Sequence, residues 1–153
     1  MSRRTLPLAL ACLALAAGCG GRAHRAASST GEWRSNALGV LVQLREDVSL
    51  TATGSSTLAE ARRALTNDSD LYALLLAYSD LGGCRATVAH AGAPPELERV
   101  LARPCRMLER AAASFTRATT RSDPRALLRA ARQAHAAEPL LVRAIAAVRA
   151  HTG

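Results

Sequence analysis

From Trp33 onward, apolar residues recur at intervals of three and four, the period of a helix buried along one side. Trp33, Ala37, Leu41, Leu44 and Val48 make the first stripe. It predicts a helix from about Glu32, capped by Thr30, that fades through Thr51-Ala52-Thr53-Gly54. A short helix follows over Thr57 to Leu65, capped by Ser55 or Ser56 and ended by Asn67. Asp68-Ser69-Asp70 opens a third helix, with Leu71, Leu74, Leu75, Tyr78 and Leu81 as its buried face. Paired glycines weaken a helix, so Gly82-Gly83 is expected to interrupt or bend it before it resumes through Cys84 to His90.

Gly92-Ala93-Pro94-Pro95 is a turn signal. A fourth helix is expected from Pro95 to Thr120, kinked at Pro104 because proline has no N–H and its ring crowds the preceding turn. Ser122-Asp123-Pro124 reads as stop, cap and restart. A fifth helix is then expected from Pro124 to about Ala150, bent at Pro139, with Leu127, Ala131, Ala134, Leu141, Ile145 and Val148 on its inner side. No segment has the alternation of a credible strand. The pattern predicts an all-α, up-and-down helical bundle of four long helices plus one short helix in the first crossover.

Residues 1–19 break from this pattern. Arg3 and Arg4 precede an apolar run from Leu6 to Ala17, and Ala16, Ala17 and Gly18 are small. This is the layout of a secretory signal peptide, and the run is short for a membrane-spanning helix. Its end, Leu15-Ala16-Ala17-Gly18-Cys19, resembles the lipobox of bacterial lipoproteins. The resemblance covers these nineteen residues alone. It implies cleavage before Cys19, a lipid on that cysteine, and an extracytoplasmic protein held to the bacterial cell membrane. Cys12 follows too short an apolar run to compete. The expected organisation is a signal peptide over 1–18, a lipidated flexible tether over 19–31, and a helical bundle domain over 32–153. The tether assignment rests on its Gly, Ser and Ala content and its lack of an apolar period.

With Cys12 removed and Cys19 carrying lipid, Cys84 and Cys105 remain. Export would place them where a disulfide persists. Their midpoint falls between Pro94 and Pro95, so in an antiparallel hairpin turning there the two thiols lie level. A disulfide is the expected state. Neither cysteine belongs to a CxxC pair, which argues against a redox-active site.

Composition adds two points. Ala, Leu and Arg dominate, and lysine is absent. These are strong helix formers, and the bias points to a GC-rich bacterial genome in which arginine replaces lysine. The net charge of +8 falls to +6 once Arg3 and Arg4 leave with residues 1–18, which favours anionic partners in general. On the fourth helix, Arg99, Arg103, Arg106, Arg110, Arg117 and Arg121 share one face, opposite Leu97, Val100, Leu101, Met107, Leu108, Ala111, Phe115 and Ala118. Arg125, Arg129, Arg132 and Arg143 echo the pattern on the fifth. The six-arginine stripe is either a solvated helix face or a contact for an anionic surface.

Catalytic chemistry finds no foothold. GxSxG, HExxH, P-loop, EF-hand and CxxCH signatures are all missing from the sequence. His135 and Glu138 share a helix face, but a single pair in reversed order does not make a carboxylate-bridged metal site. Trp33, Tyr72 and Tyr78 fit helix faces and are read as packing residues. No enzyme activity, cofactor, metal or nucleic-acid partner is expected. The expected partners are the membrane, through Cys19, and an envelope protein or anionic surface. The alternative is a small-ligand or metal-binding bundle using the interior near Gly82-Gly83 and Pro104.

Overall fold

The computed structural model describes residues 30–151. The expected signal peptide, Cys19 and most of the expected tether lie outside the described residues. Within them the chain is all-helical: α1 (Thr30–Gly54), α2 (Leu58–Thr66), α3 (Asp68–His90), α4 (Pro95–Thr120), α5 (Pro124–His135) and α6 (Glu138–Ala150). No helix among them is long and apolar enough to cross a membrane.

Local chemistry sets the boundaries. Thr30 is the first residue of α1 rather than its cap. Thr57, not Ser55 or Ser56, caps α2. Its Oγ1 accepts from the Glu60 amide at 3.2 Å, and the Glu60 carboxylate accepts from the Thr57 amide at 2.9 Å. This reciprocal pair satisfies two amides that the first helical turn leaves open. Ser55 is instead buried and donates to the Thr51 carbonyl. Asn67 separates α2 from α3, and its Oδ1 accepts from the Asp70 amide at 3.0 Å. Asp123 Oδ1 accepts from the amides of Arg125 and Ala126 at 2.9 and 3.1 Å and starts α5, with Pro124 at its first position.

Of the three expected irregularities, two leave their helices continuous. α3 runs unbroken through Gly82-Gly83, held by the buried Leu81 and Cys84 on either side. A Cβ at Gly82 would stand 3.4 Å from the Ala112 Cβ, so this glycine lets α3 approach α4 closely. α4 also continues across Pro104, whose ring is buried. The fifth helix, by contrast, is two elements. α5 ends at His135 and α6 begins at Glu138, with Pro139 inside its first turn. Proline offers no N–H and its ring crowds the preceding turn, so regular helical bonding lapses at Ala136 and Ala137, whose backbone stays in the right-handed helical region.

The elements pack as a ring in which α1 meets α3, α3 meets α4, α4 meets α5 and α6, and these return to α1; α2 lies against α3 and α5. Trp33, at the start of α1, meets His151, just past α6, edge to face at 5.9 Å between ring centroids. His151 Nε2 is 3.5 Å from Glu96 Oε1 at the start of α4. The starts of α1 and α4 and the end of α6 therefore share one pole. The core between the helices is built from Leu41, Leu74, Leu81, Leu101, Leu108, Leu127 and Leu141, all fully buried, filled out by alanines. Tyr78 and Phe115 stack at 4.1 Å across α3 and α4. Cys84 and Cys105 join the same two helices as a disulfide, with Cα atoms 5.2 Å apart, inside the range such a bond requires.

Candidate functional site

The arginines of α4 all face solvent. Arg99, Arg103, Arg106, Arg110 and Arg117 are exposed along the helix, and Arg121 is exposed at its C-terminal cap. At 100° per residue they span about 60° of arc, and at 1.5 Å per residue the row is about 33 Å long. The apolar side of the same helix forces this arrangement. Leu97, Leu101, Leu108, Ala111, Phe115 and Ala118 are buried, which leaves the opposite side to the guanidinium groups. Met107 is half-buried.

Val100 departs from the expected inner set. It is 38% exposed and lies at the foot of the arginine row. There a groove of about 630 Å³ opens between α4 and α6, lined by Glu98, Arg99, Val100, Ala102, Arg103, Arg106, Leu140 and Arg143. Arg143 comes from α6, so the first half of the stripe gains a fourth guanidinium from a second element. The sequence pattern had placed Arg143 with the echo on the following helix. The antiparallel return of α6 beside α4 brings it across.

The charge in this groove is poorly neutralised. Among the described residues, the arginine–carboxylate pairs are Arg45 with Glu138, Arg85 with Glu109, and Arg129 with Asp123. None involves the stripe or Arg143. Arg110 Nε donates to the Arg106 carbonyl at 3.1 Å, and Arg117 donates to Ser114 Oγ at 3.0 Å. Both bonds anchor the side chains without cancelling their charge. Glu109, beside the stripe on α4, turns to α3. It accepts from Arg85 Nε at 2.7 Å and holds that guanidinium above its ordinary pKa by hydrogen bonding and by its charge. Arg125 and Arg132 on α5 are exposed as well.

A second groove, of about 760 Å³, lies between α1 and α6 and is lined by Val42, Arg45, Glu46, Ser49, Glu138, Val142, Ile145, Ala146, Arg149 and Ala150. Arg45 crosses one end, where its Nε meets Glu138 at 3.4 Å; Glu138 also meets His135 Nδ1 at 3.2 Å. The His135–Glu138 pair thus bridges the step between α5 and α6. Among the described residues no three His, Cys, Asp or Glu side chains gather as a metal site. Near Gly82-Gly83 and Pro104, considered above for a small ligand, lie the Cys84–Cys105 disulfide and the buried proline ring.

No protein-family model, curated protein or solved structure matches this chain.

Proposed function

We propose that this chain is an exported lipoprotein, processed before Cys19 and held to the cell membrane through a lipid on that cysteine. Its helical bundle acts outside the cytoplasm by binding rather than by catalysis. The arginine face of α4 engages an anionic surface of the cell envelope, such as phosphate-bearing lipid headgroups. The observation that carries this reading is the row of exposed guanidinium groups without carboxylate partners among the described residues, joined by Arg143 across the α4–α6 groove. Guanidinium groups bind phosphate through paired hydrogen bonds, and a lipid tether would hold them near such groups. The lipobox-like ending Leu15-Ala16-Ala17-Gly18-Cys19 supports the anchor, and a Cys84–Cys105 disulfide suits an oxidising compartment.

Two measurements test the two halves. Mass spectrometry of the protein from its native host should find an amino terminus at Cys19 carrying acyl chains. An intact Met1 on cytosolic material would end the anchoring half. In vesicle binding, Arg103→Gln, Arg106→Gln and Arg110→Gln together should weaken attachment to anionic vesicles by up to about a hundredfold. This follows from at most about 1 kcal/mol for each basic group near the surface. Equal binding to neutral and anionic vesicles would end the surface half.

A further inference from the structure

The outward ridge of α3 departs from both the sequence expectation and the usual rule for a perimeter helix. Its inner face is buried through Leu74, Ala77, Tyr78, Leu81, Cys84 and Val88. Its outer face is also apolar. Tyr72 is 63% exposed, Leu75 47% and Leu76 53%. Leu75, read from the sequence as buried, and Tyr72, read as packing, both face solvent. One turn further on, the outer surface passes through Ser79 to the small residues Gly82, Gly83 and Ala86. A helix apolar on both sides ordinarily has neighbours on both sides.

We infer that this ridge is a self-association surface, on which α3 packs antiparallel against α3 of a second copy about a two-fold axis at Ser79. Under that symmetry residues at equal height and on the same flank of the ridge meet, at 100° per residue. Tyr72 meets Ala86, Leu75 meets Gly82, and Leu76 meets Gly83. Every large side chain on the first half of the ridge faces a small residue on the second half. Two identical surfaces therefore fit each other, as a two-fold contact requires, and the helices can approach to the 8–10 Å typical of packed pairs. The ends of the ridge match as well. Asp68 falls opposite His90, a carboxylate against a ring that can donate to it.

Among the described residues, nothing calls for a glycine at position 83. A Cβ there would meet the Thr87 hydroxyl of its own helix at 3.7 Å, an ordinary contact. Glycine is among the poorest helix formers, yet two stand in succession here. Gly82 is accounted for by Ala112 at 3.4 Å, and Gly83 is accounted for by the knob of a facing Leu76. An anionic membrane is a poor occupant of this ridge, because the exposed carboxylates of Asp68, Asp80 and Glu46 flank it.

The test uses the full chain with Cys12→Ser and Cys19→Ser, so that no other free thiol competes. Adding Ser79→Cys places a thiol at the proposed axis. Mild oxidation should convert most of the protein to a covalent dimer of twice the chain mass, and Gln133→Cys on the exposed side of α5 should not. In the Ser79→Cys background, Gly83→Glu should lower the dimer yield at least tenfold. Tyr72→Asp, at a position that leaves the core untouched, should do the same with helix content unchanged by circular dichroism. Monomer after oxidation of Ser79→Cys overturns the inference. So does a dimer equally abundant with Gln133→Cys, a yield indifferent to both ridge substitutions, or a cross-linked product joining this chain to a different protein.

Discussion

Asp47 is a carboxylate in an apolar setting. It lies on the α1 side facing α3 and is 7% exposed. Gln43 donates to its Oδ1 at 3.3 Å, while Oδ2 has no partner among the described residues. Burial pushes its pKa up, and the nearby charges of Asp80 and Glu46 add to the rise against the lowering effect of Gln43. A carboxyl group whose pKa is raised by folding binds its proton more tightly in the folded state. Its contribution therefore opposes folding increasingly as pH rises above the ordinary carboxylate value of 3.8. Asp47→Asn keeps an acceptor for Gln43 and removes the charge. It should stabilise the fold at pH 7 by about 1 kcal/mol, a rise of a few degrees in melting temperature. The gain should shrink towards zero near pH 3.5, which thermal melts at the two pH values would check. Tyr78 is the neutral counterpart: burial pushes its phenol pKa well up, only partly offset by the neighbouring Thr51 hydroxyl, so it stays uncharged beside Phe115.

At the scale of the element, caps and the cross-link decide where helices begin and how they stay together. Asp123 holds two amides at the start of α5, so Asp123→Ala should cost about 1 kcal/mol in chemical denaturation. The Cys84–Cys105 bond closes a segment with a sequence separation of 21. Replacing both cysteines by alanine should cost about 3 kcal/mol on the chain-entropy account, read as a lower denaturation midpoint with helix content retained. These elements were largely legible beforehand. The stripes Trp33–Val48 and Leu127–Val148 name residues that are buried, and the position of the turn at Pro94-Pro95 levels the two cysteines. The failures are equally physical. Gly82-Gly83 looks like a break because propensity is local, whereas the packing of Leu81 and Cys84 is not. Pro139 looks like a bend, but the amide it lacks falls where a new helix can start. Leu75 follows the helical period on paper, yet only the positions of α1 and α4 reveal which way that side of α3 points.

Over the whole molecule, exposed charge and exposed apolar side chains are unevenly distributed. The α4 and α5 side carries exposed arginines at nearly every turn, while Leu50, Tyr72, Leu75 and Leu76 are exposed on α1 and α3. The arginine row was readable from spacing alone; the groove was not, because Val100, Leu140 and Arg143 meet only through the return of α6. If the basic side carries the attachment to anionic vesicles, affinity should fall about tenfold or more as salt rises from about 0.1 to 0.5 M, since screening shortens the reach of surface charge to a few ångströms. Co-sedimentation across a salt series would read this directly, and salt-independent attachment would assign it to the apolar side instead.

Trp33 is the chain's single tryptophan. It is 3% exposed and wedged between the first turn of α1 and His151. The molecule thus carries its one indole fluorophore at one pole. Its emission reports the parting of the first and last helices, while circular dichroism follows all of them together. If the two signals change at different denaturant concentrations, that pole frays before the rest. If they coincide, the ring of helices comes apart as one unit.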